Sequence, residues 1–218
     1  MKHESTRSGR VRTNLTGELA YASFVPANLP PEPPIELDQD MQRLLSLSRE
    51  KLSVLQAEAR HIPNVNIFLS MYVRKEALFS SQIEGTQATL DDMLDPCIDE
   101  NSNRDVAEAS DNVRAALYAI EQITSESGLP LSLRLLKETH SVLLTHARGA
   151  DKSPGTFRTT QNWIGPTGCT LRSASYVPPN PEDMKQGLYA LEAYIHEVSD
   201  LDPLLRAGLI HYQFETIH

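Results

Sequence analysis

Helical spacing of apolar residues is the feature that most constrains the fold. Apolar side chains recur three and four positions apart in segments that proline and glycine separate, a period that predicts amphipathic helices. The first apolar residues of these segments are Leu37, Phe68, Val106, Leu135, Met184 and Leu204. Residues 148–181 lack the period, and Tyr176-Val177-Pro178-Pro179 within them predicts a short extended piece or hairpin arm. We therefore predict an all-α fold with one small β element.

Composition favours a globular protein of the cytoplasm. With 218 residues, 40% of them hydrophobic, the chain can bury a real core in one domain, with or without a subdomain. A formal net charge of −9 argues against broad binding to nucleic acid or to an anionic membrane. Cys97 and Cys169 fit neither a metal-ligand spacing nor a disulfide framework, which favours a reducing compartment. No signal peptide and no apolar run of membrane-spanning length is visible.

The N-terminal region differs from the helical segments. Residues 1–20 are polar and basic, and we expect a loosely ordered tail. Residues 24–34 are rich in proline, which removes backbone donors and favours an extended strap over a helix.

The first candidate site is Ser80-Ser81-Gln82-Ile83-Glu84-Gly85, at the predicted end of a helix. Ser80 and Glu84 are four residues apart and therefore share a helix face. A carboxylate is unfavourable at the negative C-terminal end of a helix dipole, so a cation nearby would stabilise it. Spacing alone favours a solvated glutamate before a capping glycine.

Three later segments also carry candidate residues. Ser153-Pro154-Gly155-Thr156-Phe157-Arg158 leads into a loop in which we expect Trp163 to lie in the core or at its edge. Residues 173–179 form an edge segment that ends in a turn. The last helix runs to a histidine, His218, and taken alone such a residue is often an ordinary capping or surface group.

In this order, the four segments resemble the Fic family of nucleotidyl transferases, from about Tyr21 onward. His218 stands where the family motif H-P-F-x-[DE]-G-N-G-R begins. Ser80, Glu84 and Gly85 match the motif [ST]-x-x-x-E-[GN] of Fic proteins with an N-terminal regulatory helix. Arg158 matches the arginine of P-G-x-[FY]-R, which mostly anchors loop structure in that family.

The resemblance implies a Fic-type helical bundle with a small β-hairpin flap and an N-terminal helical regulatory module. The implied organisation is a polar tail at 1–20, a Fic N-terminal module with an inhibitory helix at 21–100, and a Fic core at 101–218. That core would be incomplete at its C-terminus, because the phosphate-binding loop follows the histidine in the family. We therefore expect these 218 residues alone to be catalytically inactive.

The activity implied is protein adenylyl transfer, with ATP as the nucleotide substrate. His218 would be the general base for a target Tyr, Thr or Ser hydroxyl. Glu84 would be an intramolecular brake that pairs with an arginine of the missing loop and obstructs the ATP γ-phosphate. The Mg²⁺ ligands are likewise expected beyond residue 218, with no metal ligand in this chain. Gln213 is a further candidate nucleotide contact.

The flap residues implied by the resemblance are Tyr176, Val177 and Pro178. The edge of such a flap can pair with an extended target segment through main-chain hydrogen bonds. The partners implied are a hydroxyl-bearing target protein, which includes the chain itself, and a second copy in a homodimer. We expect no membrane and no nucleic acid to bind this part of the chain.

Two other interpretations stay open at this point. One is a non-catalytic interaction or antitoxin-like module that uses the Fic scaffold for binding. The other keeps the fold but changes the chemistry to AMP removal or to transfer of another phosphate-bearing group. The residues that carry the resemblance do not separate these interpretations, and they do not identify the target protein.

Overall fold

The computed structural model describes residues 7–83, 85–94, 104–145 and 153–217. Within these ranges the chain is mainly helical, with one two-stranded antiparallel sheet and a 3₁₀ turn at Gly17–Leu19. The elements are β1 (Gly9–Asn14), β2 (Tyr21–Pro26), α1 (Gln39–Ala59), α2 (Val65–Ile83), α3 (Leu90–Leu94), α4 (Arg104–Thr124), α5 (Leu133–Leu143), α6 (Pro181–His196) and α7 (Pro203–Ile217). The predicted helical fold with a small β element is confirmed, although the two-stranded sheet lies at residues 9–26 and the predicted flap forms only an isolated bridge.

Local sequence signals account for several helix boundaries. Helix α2 ends just before Gly85, whose φ of 100° is a conformation that favours glycine. Helix α3 begins with a capping box in which the Thr89 N–H donates to Asp92 Oδ2 at 2.8 Å and the Asp92 N–H donates to Thr89 Oγ1 at 3.2 Å. Helix α7 begins after Asp202, whose carboxylate accepts the Leu204 N–H at 2.8 Å.

The chain divides into two compact units. The first comprises residues 1–45 and 158–218, and the second comprises residues 46–157. These units reflect which segments pack together, whereas the predicted boundaries after residues 20 and 100 follow a family resemblance. Those boundaries stay predictions.

Helices α2, α4 and α5 form the body of the second unit, with α2 packed on α4 and α4 packed on α5. Its apolar cluster is Leu78, Ala88, Val106 and Ala109, with Leu90 and Met93 packed against it. Ala88 lies in the turn after α2, and Val106 and Ala109 lie in α4. The cluster therefore fixes the turn after α2 against α4.

In the first unit, α6 packs against α7. Met184, Leu188 and Leu191 of α6 are buried, and Ile217 at the end of α7 is fully buried. Gly187 allows the close approach of Ile217, because a Cβ atom at position 187 would lie 3.0 Å from Ile217 Cδ1. The end of α7 is therefore set tightly against the backbone of α6.

The expectation of loose order for residues 1–20 is wrong for residues 9–14, which form β1 and pair with β2. Polar contacts hold this strand. Asn14 donates to Ser23 Oγ at 2.8 Å and accepts from Asn180 Nδ2 at 2.8 Å. Arg12 forms an ion pair with Asp183, which is buried at the start of α6. A strand held by polar side chains lacks the apolar alternation by which strands are predicted.

The expectation that Trp163 lies in the core or at its edge is also wrong. Its side chain is 42% exposed, and the next residue, Ile164, is 66% exposed. The two residues lie on a surface loop. The backbone of Ile164 forms hydrogen bonds with Tyr176, while its side chain is exposed.

A membrane span is not found among the described residues, since none of their helices is both long and apolar enough to cross a bilayer.

Candidate functional site

Glu84 and His218 lie outside the described residues, so their side-chain positions are not assigned. The other predicted site residues are described, with Ser80 and Gly85 in the second unit and Tyr176, Val177, Pro178 and Gln213 in the first. The surroundings of the two residues are therefore described through the ends of the helices that precede them. These are the end of α2 in the second unit and the end of α7 in the first.

The backbone itself closes the end of α2. The Gly85 N–H donates to the Gln82 carbonyl at 3.1 Å, and the Thr86 N–H donates to the Ser81 carbonyl at 3.1 Å. This pair of bonds is a Schellman motif, which satisfies two carbonyls that a helix end would otherwise leave without partners. The closure of this end depends on consecutive residues only.

The turn after α2 is fixed from both sides. The Gln82 side chain donates to the Ala88 carbonyl at 2.9 Å, within the turn. The Gln87 N–H donates to Asp105 Oδ2, in the first turn of α4, at 2.9 Å. Thr86 and Ala88 are 4% and 2% exposed. The segment that follows residue 84 is therefore held by buried side chains and by α4.

The two serines of the candidate motif have different environments. Ser81 is buried; its hydroxyl donates to the Ala77 carbonyl at 2.8 Å and accepts from Asn112 Nδ2 at 2.5 Å. Ser80 is exposed and lines a groove of about 520 Å³ together with Glu76 and residues of α4. Ser81 therefore links α2 to α4, whereas Ser80 faces open space.

Side chains from distant residues close the end of α7. The Tyr176 hydroxyl donates to the Thr216 carbonyl at 2.7 Å. The Arg158 guanidinium donates to the Ile217 carbonyl at 3.5 Å and also to the Pro179 carbonyl. Carbonyls in the last turn of a helix have no partner within the helix, so these donors satisfy two of them.

The Tyr176 hydroxyl keeps its proton well above neutral pH. Burial raises its pKa to about 12; nearby Tyr212 acts in the same direction, and Arg158 opposes them. A neutral phenol is a hydrogen-bond donor, whereas a phenolate is only an acceptor. The bond to Thr216 is therefore available throughout the physiological range.

The backbone of the predicted flap is largely paired within the first unit. Tyr176 forms an isolated antiparallel bridge with Ile164, with bonds of 2.9 and 3.0 Å. The Val177 carbonyl accepts the Phe24 N–H of β2 at 2.9 Å, and the Pro178 carbonyl accepts from the Gln161 side chain at 3.1 Å. The predicted extended piece is present, but these main-chain groups already have internal partners. A target-pairing role for this edge stays a prediction.

Comparison with known families identifies two regions of similarity. Residues 42–121 match the domain described as Fic/DOC family N-terminal, and residues 130–218 match the Fic/DOC family domain. The chain belongs to the Fic/DOC family. Membership in the Fic family indicates transferase activity in general terms, without specifying the group that is transferred.

The two Fic matches contain all the predicted site residues. Ser80, Glu84 and Gly85 lie in the N-terminal match, and the second match extends from residue 130, just before α5, to His218. The family resemblance is therefore confirmed over the segments that suggested it. The role of each residue is a separate matter that these matches do not test.

Gln213, the predicted nucleotide contact, is only 2% exposed. Its side-chain amide donates to the Ala27 carbonyl of the proline-rich strap at 3.0 Å. Gln213 also borders a cleft of about 730 Å³ between that strap and α7, within the first unit. The described contact of Gln213 is thus with the chain's own backbone, and its nucleotide-binding role stays a prediction.

Sequence patterns do not predict two residues that hold α2 and the turn after it in place. Asn112 bonds to Ser81, and Asp105 bonds to the backbone of the turn after α2. Asp105 gives the ordinary signal of an acidic residue in the first turn of a helix. Neither residue carries a local pattern that indicates its partner, which is 18 or more positions away.

Proposed function

We propose that this Fic protein serves protein adenylyl transfer, the transfer of AMP from ATP to a Tyr, Thr or Ser hydroxyl of a target protein. The observation that carries the proposal is the Fic/DOC match over residues 130–218, which includes His218 where the resemblance puts the general base. The match to the N-terminal domain over Ser80, Glu84 and Gly85 supports autoinhibition of the same reaction.

In the proposed reaction, His218 accepts the proton of the target hydroxyl through an imidazole nitrogen. The hydroxyl oxygen attacks the α-phosphorus of ATP and forms a new phosphorus–oxygen bond. The bond between the α-phosphorus and the oxygen that bridges to the β-phosphate breaks, and pyrophosphate departs with its electron pair. The products are an AMP-modified side chain, pyrophosphate and the proton held by His218.

Glu84 is the proposed brake. It follows α2, whose C-terminal end carries a partial negative charge, so a carboxylate there gains most from a cationic partner. In the resemblance that partner is an arginine of the Fic motif loop, and the pair blocks productive placement of the ATP γ-phosphate. The fixed turn at Gly85–Ala88 supports this role, because a brake must be held in a defined position.

Magnesium is implied by the family, and its ligands are expected beyond residue 218. Within the described ranges, no group of three or more His, Cys, Asp or Glu residues could hold a metal ion.

The test uses the protein expressed from its complete gene, incubated with ATP labelled at the α-phosphate. We expect mass spectrometry to find one AMP on a hydroxyl side chain, of the target or of the protein itself. Glu84→Gln should raise the rate of self-modification, and His218→Ala in the Glu84→Gln background should abolish it. Glu76→Gln is the matched control, since Glu76 is an exposed glutamate of α2, the helix that precedes Glu84.

Other outcomes would overturn this proposal in distinct ways. Modification that survives His218→Ala would remove the base assignment. Loss of AMP from a previously modified target would favour AMP removal. Absence of any nucleotide transfer in wild type and in Glu84→Gln would favour a non-catalytic binding module. An equal response to Glu84→Gln and Glu76→Gln would remove the brake assignment.

A further inference from the structure

The end of α7 receives hydrogen bonds from residues far away in sequence. Tyr176 is 40 positions from Thr216, and Arg158 is 59 positions from Ile217. Helix ends fray when their last carbonyls lack partners. Two donors from outside the helix at consecutive carbonyls therefore mark a helix end held in one conformation.

We propose that Tyr176 is a positioning residue that fixes the last turn of α7 and thereby the backbone that carries His218. The proposal rests on the proposed function, which makes His218 the base. It assigns Tyr176 a role different from the target-pairing role that the family resemblance implies for the flap.

The anchoring of Tyr176 itself supports this role. Its N–H and carbonyl both bond to Ile164, so the backbone from which the phenol extends is fixed. Its hydroxyl bond to Thr216 is 2.7 Å long, the usual distance for an O–H donor. The fixed backbone and this bond together link the position of the flap to that of α7.

The packing of α7 supplies a second constraint. Ile217 is fully buried, with its side chain set against Gly187 of α6. This contact limits rotation of the last turn from one side, and the Tyr176 bond limits it at the carbonyl edge. Ile217 precedes His218 in the sequence, so a fixed last turn of α7 fixes the residue to which His218 is joined.

Arg158 contributes less to this positioning than Tyr176 does. Its bond to the Ile217 carbonyl is 3.5 Å long, whereas it also bonds to the carbonyls of Pro179 and Thr160. Arg158 therefore mainly joins its own loop to the end of the flap. Tyr176 is the residue on which a single substitution tests the proposal.

The structural test uses the 218-residue chain. Thr216–Ile217 is the only Thr–Ile step in the sequence, so labelling with ¹³C-carbonyl threonine and ¹⁵N-isoleucine gives one HNCO signal. That signal reports the Thr216 carbonyl that accepts the bond. We expect Tyr176→Phe to shift the carbonyl resonance upfield and to lower the heteronuclear NOE of the Ile217 amide.

Tyr21→Phe is the matched control. Tyr21 is a partly buried tyrosine of the same unit whose hydroxyl donates to Gln161 Oε1 at 3.1 Å instead of to α7. Its substitution should leave the Thr216 signal in place. An unchanged Thr216 signal in Tyr176→Phe, or an equal shift in Tyr21→Phe, would overturn the proposal whatever the chemistry of the protein.

The functional test uses the protein expressed from its complete gene, in the Glu84→Gln background. We expect Tyr176→Phe to lower kcat about tenfold, because the base would be held less precisely for proton transfer, with KM for ATP unchanged. Tyr21→Phe should retain kcat. A lost Thr216 bond with unchanged kcat, or a rise in KM for the target with unchanged kcat, would overturn positioning and leave the proposed function intact.

Failure of the proposed function has a different signature. If no variant transfers AMP, the adenylyl-transfer assignment fails, while the Thr216 and Ile217 signals still decide whether Tyr176 holds the end of α7.

Discussion

The helix ends that lead to Glu84 and His218 are closed in opposite ways. Consecutive residues close α2 through their own backbone, with Gly85 and Thr86 as donors. The end of α7 relies on the side chains of Tyr176 and Arg158. The first closure is a property of a short peptide segment. The second exists only when the flap segment and α7 are folded together, so it is sensitive to anything that moves the flap.

The largest expected effect on stability is at the end of α7, which distant residues close. Ile217→Ala should lower the free energy of unfolding by about 2–5 kcal/mol, because it opens a cavity beneath the last turn of α7. Urea denaturation of the 218-residue chain measures it. Leu204→Ala, at the 37% exposed start of the same helix, should cost less than about 1 kcal/mol. Equal costs for the two variants would show that the end of α7 is not specifically packed.

Gly85→Ala tests the end of α2, which consecutive residues close. At a φ of 100°, alanine is strained, and we expect a loss of stability of about 1–2 kcal/mol. Gly208→Ala is the matched control inside α7, where an added Cβ meets no atom within 4 Å. That change should instead stabilise by about 0.5–1 kcal/mol. If thermal unfolding shows stability changes of the same sign for the two substitutions, the positive φ of Gly85 does not determine the end of α2.

A smaller effect is expected where the turn after α2 meets α4. Asp105→Ala removes the acceptor of the Gln87 N–H and should cost about 0.5–1.5 kcal/mol. Hydrogen exchange is the specific measurement, since the Gln87 amide should lose protection. Asp105→Asn keeps an oxygen acceptor and should retain most of that protection. Unchanged exchange in Asp105→Ala would show that α4 does not hold the turn after α2.

The last effect is on alkaline stability and is confined to pH values above 10. Because the pKa of Tyr176 is raised from 10.0 to about 12, the folded state retains a proton that the unfolded chain releases. The contribution of Tyr176 is therefore fully present below pH 10 and is lost as the pH rises towards 12. Melting temperatures between pH 9 and 12 should fall less steeply for Tyr176→Phe. Burial also raises the pKa of Tyr21, so only the difference from wild type isolates Tyr176.

The contrast between the two ends also explains what sequence could predict. Gly85 indicates the end of α2, and Asp202-Pro203 indicates the start of α7, because both signals depend on adjacent residues. The four segments that resemble the Fic family were likewise sufficient to predict a helical Fic fold, which the family matches confirm.

Other features depend on partners that sequence does not bring together. Strand β1 is held by Arg12 and Asn14, whose partners lie in α6 and at its cap, so its composition resembles a polar tail. The exposure of Trp163 follows from the course of a loop, which residue type alone does not predict. The Tyr176 hydroxyl could not be assigned to Thr216 without the fold.

The β1–β2 hairpin has a practical consequence for anyone shortening this protein. The Fic matches begin at residue 42, yet Phe24 donates to the flap at Val177 and Ala27 accepts from Gln213. A protein shortened to start at residue 42 would lack both Phe24 and Ala27. The Val177 carbonyl and the Gln213 side-chain amide would then have lost these hydrogen-bond partners. Affinity tags and protease sites therefore belong ahead of the hairpin. A domain boundary drawn by homology would yield a protein of lower stability.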